Sequence, residues 1–299
     1  MPPTEISADQ FGVNDSSTYA ADLRRIAEAC DAQDGVITLN EQACLQLKYR
    51  GLRDARLWVD SEPATAFALL HGGILDLAVH PEARGRGIGT ALAEAALQNA
   101  DRVEAWSHAD HPAAAKIAAR FGIPRARDLR IMSRPTSKPI DVGPLPAGVA
   151  IRTFSAADAD EVLAINAHAF ATHPEQGHLS AEDFLERTSE AWFDPDGLFL
   201  AVEVDNPAEI LGFHWTKVHR DETPPYGEVY VVAVSPKAAG KGLGTLLTQI
   251  GLRHLATTGV AEVILYVDGD NEAATSVYER QDFTIVRTEA QYRGAAVHV

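Results

Sequence analysis

The second half of the chain alternates apolar strand-like segments with helical patterns, which predicts an α/β fold. Its strand-like segments are rich in valine, isoleucine and aromatic residues, as in "LFLAVEV", "ILGFHWTKVH", "GEVYVVAV" and "EVILYVD". The segments "AADADEVLAINAHAF" and "LGTLLTQIGLRHLATTG" place apolar residues at helical spacing. Ser155 with Asp158, and Ser180 with Asp183, have the spacing of capping boxes at helix starts. We therefore expect the order β-α-α-β-β-β-α-β-α-β around a mixed sheet.

Two near copies of one motif indicate that the chain is an internal repeat. "VHPEARGRGIGTAL" occupies residues 79–92, and "VSPKAAGKGLGTLL" occupies residues 234–247, so the copies lie 155 residues apart. A repeat of this length corresponds to a whole domain rather than to a solenoid unit. The segment "SRPTSKPIDVGPLPAG" between the halves is rich in proline and glycine, as linkers are. We expect an N-terminal domain at 1–133, a linker at 134–148 and a C-terminal domain at 149–299.

Composition limits the classes of binding partner and the cellular compartment that we expect. The chain has 299 residues, of which 46% are hydrophobic, and a formal net charge of −16 that argues against nucleic acid as a partner. No apolar run approaches the ~20 residues that cross a membrane, and the polar N-terminus lacks an apolar leader. We expect a cytoplasmic monomer without a metal, because no histidines stand at metal-binding spacing. Cys30 and Cys44 should be reduced, buried thiols.

Two nucleotide-binding interpretations of the glycine-rich motif fail on its spacing. A P-loop requires G-x-x-x-x-G-K-S/T, but Ser235 stands at the first glycine position and Gly242 follows Lys241. A dinucleotide fingerprint requires G-x-G-x-x-G, which Gly242 and Gly244 satisfy and Leu247 does not. The motif also follows a late strand of its half rather than the first. Neither a P-loop nor a dinucleotide fingerprint is therefore expected.

A third interpretation is the loop that binds the pyrophosphate of acyl-CoA, with the pattern Q/R-x-x-G-x-G/A. The first copy, "RGRGIG" at 84–89, matches fully, whereas the second has Ala239 at the first position. Glycines let successive N–H groups point at an anion, and the following helix adds a positive dipole end. Arg84 or Arg86, and Lys241 in the second copy, would add mobile positive charge. The alternative, an ordinary strand–turn–helix corner, is disfavoured by two aligned copies.

With these loops the sequence resembles the Gcn5-related N-acetyltransferase (GNAT) superfamily. The resemblance implies two tandem GNAT (acyl-CoA N-acyltransferase) domains, each a mixed, splayed central sheet flanked by helices, with acetyl-CoA as cosubstrate. In that family the pantetheine arm pairs with the strand before the loop. The residues that the resemblance assigns to CoA are Val232, Ala233, Val234, Ala239, Gly240, Lys241, Gly242, Leu243, Gly244, Thr245, Asn271, Glu272, Ala273, Ala274, Thr275 and Ser276 in the second half, and Leu77, Ala78, Val79, Gly85, Arg86, Gly87, Ile88, Gly89 and Thr90 in the first.

The two halves differ at positions that acetyl transfer would use. By alignment Glu228 corresponds to Gly73, and Tyr278 corresponds to Ala118. A protonated amine must lose a proton before it attacks, and a leaving thiolate must gain one. We assign Glu228 as the base and Tyr278 as the acid, with a strand N–H, that of Val234, polarising the thioester carbonyl. Alternatively, Glu228 is a surface carboxylate and Tyr278 a packing aromatic.

A closer resemblance covers most of the second half. The stretches that carry it are "HPEQG" (173–177), "WFDPDGL" (192–198), "GFHWTKVH" (212–219), "GEVYVVAVSP" (227–236) and "LYVDGDNEAA" (265–274). They are similar to the mycothiol synthase family of tandem acetyltransferases. That family acetylates the cysteinyl amine of cysteinyl-glucosaminyl-inositol in a ternary complex, giving mycothiol and CoA. The resemblance implies that the amine substrate contacts Glu41, Glu175, Lys217, Glu228 and Tyr266.

Two other functions stay open at the level of sequence. One is a tandem acetyltransferase acting on another amine, such as an aminoglycoside or a protein N-terminus. The other is a non-catalytic acyl-CoA sensor, against which the retained Glu228 and Tyr278 argue. We expect the first half to hold CoA without turning it over, because its counterparts of the base and the acid are Gly73 and Ala118.

Overall fold

Helices and strands are divided between two units that are discontinuous in sequence. The structure is a computed structural model, and it describes residues 2–12, 17–171 and 176–295. The first unit contains the chain up to Arg130, the short segment Asp268–Asp270 and the residues from Arg287 onward. The second contains Ile131–Val267 and Asn271–Val286. We expected a boundary after residue 133, and the observed division falls after Arg130. The residues from Arg287 onward, which we expected in a contiguous domain at 149–299, belong to the first unit instead.

The described part of the first half contains the following strands and α-helices. The strands are β1 (Thr4–Ile6), β2 (Ala55–Val59), β3 (Ala66–His71), β4 (Ile74–Val79), β5 (Arg102–Ser107) and, across the division, β6 (Arg125–Pro135). The helices are α1 (Ala8–Phe11), α2 (Thr18–Asp34), α3 (Glu41–Leu45), α4 (Ile88–Leu97) and α5 (Pro112–Arg120).

The second half has the element order that its apolar pattern predicts. Both expected capping boxes are present, at Ser155 with Asp158 and at Ser180 with Asp183. The strands are β7 (Val149–Thr153), β8 (Leu198–Glu203), β9 (Ile210–His219), β10 (Tyr226–Val234), β11 (Glu262–Asp268) and β12 (Thr284–Ala295). The helices are α6 (Ala159–Ala169), α7 (Ala181–Thr188), α8 (Leu243–Thr257) and α9 (Glu272–Glu279).

The sheet of the first unit is completed by β12, which comes from the second half of the sequence. Its strand order is β1-β2-β3-β4-β5-β12, with β4 and β5 parallel and the other pairs antiparallel. β12 pairs with β5 from Ala290 opposite Ser107 to Ala295 opposite Arg102. Ala290 and Tyr292 are buried in the core under α4 and α5. β12 therefore supplies both ladder hydrogen bonds and apolar contacts to this unit.

The sheet of the second unit carries apolar cores on both of its faces. Its strand order is β6-β11-β10-β9-β8-β7, and β10 and β11 are its parallel pair. An aromatic core around Trp215 and Phe184 lies on the face of α6 and α7. On the opposite face Leu247 and Leu255 of α8 are fully buried. A mixed sheet flanked by helices on both faces is the architecture that the sequence predicts.

The predicted linker is partly structured. Arg134 belongs to β6 and is almost fully buried, where desolvation lowers the pKa of its guanidinium. Further along, Ile140 and Val142 pack against cores of the second unit. The prolines indicate an absence of regular structure correctly, but the segment is held to the second unit by these apolar contacts.

The two thiols occupy different environments. Cys30 is buried in α2, with its sulfur 3.4 Å from the Val79 carbonyl oxygen, and burial raises the pKa of its thiol. Cys44 is exposed, so the expectation that both cysteines are buried is wrong for this residue. It lies between Ala43 and Leu45, which both face the interior, and helical geometry turns it away from them.

His214 joins β9 to α8 as a buried neutral side chain. Its Nδ1 lies 2.8 Å from the Leu247 carbonyl oxygen and must carry the proton, because a carbonyl only accepts. Its Nε2 has no hydrogen-bond partner among the described residues. Gly251 leaves room for the ring, since a Cβ there would meet the His214 ring atoms. Desolvation lowers the pKa of His214 from 6.5 to about 4.

The depressed pKa predicts a pH-dependent stability. Between pH 6.5 and about 4 the unfolded chain binds a proton that the folded one does not. The free energy of unfolding should therefore fall by about 1.4 kcal/mol per pH unit as pH decreases through this window. His214→Asn places an amide donor near Nδ1 and does not titrate, so it should lose this part of the slope. Denaturant unfolding between pH 7 and pH 4 measures the free energy of unfolding of both proteins. Equal slopes of this free energy against pH would contradict the prediction.

Candidate active site

The two parallel strands of the second unit part soon after they meet. Their register consists of Gly227 opposite Val263 and Glu228 opposite Ile264. On its other edge β10 stays paired with β9 as far as Val234, with a bulge between Val229 and Val231. A bulge bends its strand and raises the local twist. Beyond Glu228, the β10 edge that faced β11 is therefore left open along a cleft.

A cleft of about 420 Å³ lies where the strands have parted. It is bounded by the end of β10, the glycine loop, the start of α8 and the inner side of α9. Its lining residues are Val232, Val234, Ala238, Ala239, Gly240, Gly242, Leu243, Gly244, Thr245, Thr248, Ala274, Val277 and Tyr278. Most of them were expected to contact CoA.

The glycine loop leaves the first turn of α8 without an internal acceptor. Gly240 and Gly242 have φ of 77° and 72°, in the left-handed region that favours glycine. Gly242 is the N-cap, no described side chain caps this helix, and the ladder begins with Leu246 N–H donating to Gly242. The amides of residues 243–245 therefore need an acceptor from outside the helix. A helix start of this kind favours a phosphate group.

The start of α9 is capped differently. Asn271 accepts a hydrogen bond from the Ala274 N–H at 3.0 Å, and the Thr275 hydroxyl donates to the Asn271 carbonyl oxygen. Asn271 is thus an N-cap, although it was expected among the CoA contacts, and Ala274 is the member of the expected segment 271–276 that lines the cleft. Ala233, also expected, turns its side chain into the core on the opposite face of the sheet.

Tyr278 lies in the cleft wall. It projects from α9, is partly buried and packs edge-on against Phe283, with ring centroids 5.9 Å apart. Desolvation raises the pKa of its phenol above the usual 10. The side chain therefore keeps its proton at neutral and moderately alkaline pH, as a proton donor must.

Glu228 is buried at the point where the strands part. Its carboxylate oxygen lies 2.6 Å from Nε2 of His219, a residue that sequence analysis did not single out. Lys217 stands directly opposite Glu228 in the register of β9 and β10 and is also buried. The Lys217 ammonium lies 4.4 Å from the ring centroid of Trp192 and 5.3 Å from that of Tyr230. Two of the predicted substrate contacts, Lys217 and Glu228, are thus neighbours on one face.

The other predicted substrate contacts occupy separate elements. Tyr266 lies on β11, two residues beyond the partner of Glu228, and 39% of its surface is exposed. Glu41 is the first residue of α3 in the first unit, after the N-cap Asn40. Glu175 lies outside the described residues.

The counterpart of Glu228 in the first unit is Ile74 rather than Gly73. Ile74 pairs with Glu104 of β5, as Glu228 pairs with Ile264, whereas Gly73 lies in a turn with φ of 83°. The bulge at Tyr230 adds one residue to β10 that β4 lacks, and this shifts the alignment by one. Neither residue offers a carboxylate. The counterpart of Tyr278, Ala118, is buried in the core.

The glycine loop of the first unit has the same backbone but different side-chain neighbours. Gly85 and Gly87 have φ of 76° and 81°. Arg84, expected as mobile charge, instead makes a double hydrogen bond to Asp34 at 2.8 and 2.7 Å and donates from Nε to the Val79 carbonyl. A Cβ on Gly89 would lie within 3.5 Å of three side chains, those of Leu77, Val79 and Ile117.

Sequence and structure comparisons agree with this architecture. The profile of the Acetyltransferase (GNAT) family matches residues 55–123 and 162–283. A mycothiol acetyltransferase from Nocardioides sp. is 46% identical over 92% of this chain and 99% of its own length. The chain belongs to the mycothiol acetyltransferases of the GNAT family. A relative of the same name from Thermobispora bispora is 46% identical over 90% of this chain and 93% of its own. A GCN5-related N-acetyltransferase from Sphaerobacter thermophilus shares the fold, with a TM-score of 0.68, 24% identity and 92% of both chains covered.

Membership of this acetyltransferase family confirms the expected fold class and the expectation of an N-acetyltransferase enzyme. None of the described helices is both long and apolar enough to cross a membrane. Within the part of the chain that the structure describes, no cluster of three or more His, Cys, Asp and Glu side chains is arranged to hold a metal ion.

Several residues of the cleft and its surroundings were missed from the sequence. Thr248 and Val277 line the cleft one helical turn after Thr245 and Ala274, so helical spacing from expected residues could have found both. His219 could not be found in this way. Its contact with Glu228 depends on the register of two strands joined by a six-residue connection, which the sequence does not specify.

Proposed function

We propose that the chain transfers the acetyl group of acetyl-CoA to the cysteinyl amine of cysteinyl-glucosaminyl-inositol, in a ternary complex that yields mycothiol and CoA. The observation that carries the proposal is the open edge of β10, which leads from the buried carboxylate of Glu228 to the cleft that contains Tyr278. The names of the relatives support this acceptor, because both are mycothiol acetyltransferases and both align with this chain over nearly their whole length.

CoA would occupy the cleft from the glycine loop toward the base. Its pyrophosphate would accept hydrogen bonds from the amides at the start of α8, with the exposed Lys241 nearby in sequence. Its pantetheine amides would pair with the open edge of β10 at residues 232–234, as an added strand does. Ala239 replaces the consensus Gln or Arg, a change that backbone binding tolerates.

Proton transfer would be divided between two side chains. Glu228 would take a proton from the substrate ammonium, and the freed nitrogen would attack the thioester carbonyl carbon. The Val234 N–H would stabilise the oxyanion while the new C–N bond forms. As the C–S bond breaks, the Tyr278 hydroxyl would give its proton to the sulfur, so that CoA leaves as a thiol. The nitrogen would lose its second proton through water to the Tyr278 phenolate, which leaves a neutral amide, and Glu228 would release its proton to solvent.

The remaining contacts would position the acceptor. Lys217 and Tyr266 would hold its sugar and inositol hydroxyls, together with Glu41 and Glu175. Binding energy from these distant groups would orient the amine beside Glu228. The enzyme would act in the cytoplasm as a monomer, without a membrane as a partner and without a metal. Nucleic acid would not be a partner either, because the chain has a net charge of −16.

The first unit would bind a second CoA without consuming it. Its loop has the left-handed glycines and an α4 start that no described side chain caps, which supports binding. It has Ile74 and Ala118 where the second unit has its carboxylate and phenol, which supports the absence of turnover.

The acceptor assignment predicts a ranking of amines. Cysteinyl-glucosaminyl-inositol should be acetylated with a higher kcat/KM than free cysteine, because free cysteine lacks the sugar contacts that orient the amine. Aminoglycosides and peptide N-termini should be poorer still. Release of CoA thiol, followed by mass spectrometry of the product, measures the ranking. A preference for aminoglycosides or peptides would refute the acceptor, and absence of thiol release with every amine would favour a sensor.

Tyr278→Phe should slow turnover while acetyl-CoA still binds, because the change removes the hydroxyl and keeps the ring against Phe283. We expect kcat to fall by roughly 10²-fold, within the range for loss of a general acid. Stopped-flow detection of CoA thiol and calorimetric binding of acetyl-CoA separate the two quantities. A variant with wild-type kcat across the pH profile would make Tyr278 a packing residue.

Matched glycine variants should distinguish the two CoA sites. Gly242→Val and Gly87→Val both place a branched side chain at a left-handed φ with no atom within 4 Å of the new Cβ. Each costs strain on the order of 1–3 kcal/mol. Each should lower the calorimetric stoichiometry of acetyl-CoA from two to one per chain, and Gly242→Val should reduce turnover far more. Equal losses of turnover would contradict a non-catalytic first unit.

A further inference from the structure

The Glu228 carboxylate shares a hydrogen bond with a side chain that the proposed reaction does not use. Glu228 and Lys217 are directly opposite in the register of β10 and β9, and His219 is two residues beyond Lys217, on the same face. The nearest hydrogen-bond partner given by the geometry is His219, whose Nε2 is 2.6 Å from Oε2 of Glu228. A carboxylate only accepts, so Nε2 carries the hydrogen of this bond.

The His219 ring is itself held in place. It stacks on Tyr226, its partner in the strand register, with centroids 4.3 Å apart and planes inclined by 20°. His219 ends β9 and Tyr226 begins β10, so the stack closes the hairpin at the end where Glu228 lies. Only 17% of the His219 side chain and 9% of the Glu228 side chain are exposed. The bond is therefore largely shielded from water, which strengthens it.

A base in this position needs such an anchor. A glutamate has three side-chain torsions, and its carboxylate could otherwise turn toward the cation directly across the sheet. The Lys217 ammonium is instead drawn over the Trp192 and Tyr230 rings. A direct ion pair with Lys217 would stabilise the carboxylate and direct it away from a substrate ammonium. Catalysis therefore depends on whether Glu228 pairs with His219 or with Lys217.

We infer that His219 is a positioning residue: through its Nε2–H it holds one oxygen of Glu228 and leaves the other to face the substrate amine. The inference rests on the proposed role of Glu228 as the base. It adds a residue on a different strand, and it explains how a carboxylate at the end of a pairing register keeps one orientation through the reaction.

Two substitutions separate the hydrogen bond from the stacking. His219→Phe keeps a ring against Tyr226 and removes the donor. His219→Gln removes the ring and keeps an amide N–H the same number of bonds from Cα as Nε2. We expect kcat to fall roughly 10- to 100-fold in His219→Phe, a loss typical of a displaced catalytic group. His219→Gln should stay within about threefold of wild type, and the KM for acetyl-CoA should be unchanged in both.

The opposite pattern would overturn the inference. If His219→Phe keeps wild-type kcat, or if His219→Gln is as slow as His219→Phe, the hydrogen bond does not position the base. Thermal unfolding of both variants in the full chain accompanies the kinetics. A structural role predicts losses that follow Tm, whereas positioning predicts a kcat loss in His219→Phe at unchanged Tm.

A double variant distinguishes failure of this inference from failure of the proposed base. Glu228→Gln should lower kcat/KM by roughly 10²-fold or more, and adding His219→Phe should cost nothing further, because the histidine acts through the carboxylate. Additive losses would overturn the positioning role. Wild-type activity in Glu228→Gln would refute the base itself, whereas a slow Glu228→Gln beside a fully active His219→Phe would refute the role of His219 alone.

Discussion

The short parallel register between β10 and β11 is the constraint on which the site depends. Two residue pairs hold the strands together, and the bulge at Tyr230 then turns β10 away. Backbone groups inside a protein must find partners, so an edge left open within a sheet is tolerated where a ligand or water can complete it. The cleft, and the position of Glu228 where the strands part, follow from this early separation.

Much of this architecture can be predicted from the sequence because it depends on local patterns. The apolar periods, the two capping boxes and the 155-residue repeat each involve residues close together in the chain or copied as a block. The glycine loop is equally local, since left-handed φ at Gly240 and Gly242 is what glycine at those positions provides. These features need no knowledge of which strands pair.

The features that sequence analysis missed or misplaced depend on pairing between distant segments. A bulge leaves little trace in composition, so the alignment of Glu228 with Gly73 was off by one residue and Ile74 is the structural counterpart. Arg84 matches the consensus, yet its partner Asp34 lies 50 positions away at the end of α2 and decides where the guanidinium points. The transfer of β12 to the first unit likewise depends on a ladder with β5 that no local pattern reveals.

The two copies show how one scaffold diverges by small steps. Leu77 and Ile117 of the first unit correspond to Val232 and Val277 of the second, and each is one methylene larger. In the first unit these side chains close on Gly89, whereas around Gly244 a Cβ would meet Val234 alone within 4 Å. At this corner the two copies thus differ by two methylenes, a bulge in β10, and a carboxylate and a phenol that the second copy alone carries.

The route of β12 has a consequence for biosynthesis. A ribosome delivers the chain from its N-terminus, and domains usually fold in that order as they emerge. Here β5 lacks its partner strand, together with the buried Ala290 and Tyr292, until β12 has left the ribosome. Until then β5 presents unpaired backbone groups, the kind of edge that recruits other strands. The half of the molecule that is made first is therefore the half whose sheet is finished last, and any nascent or truncated chain that ends before β12 carries an open edge.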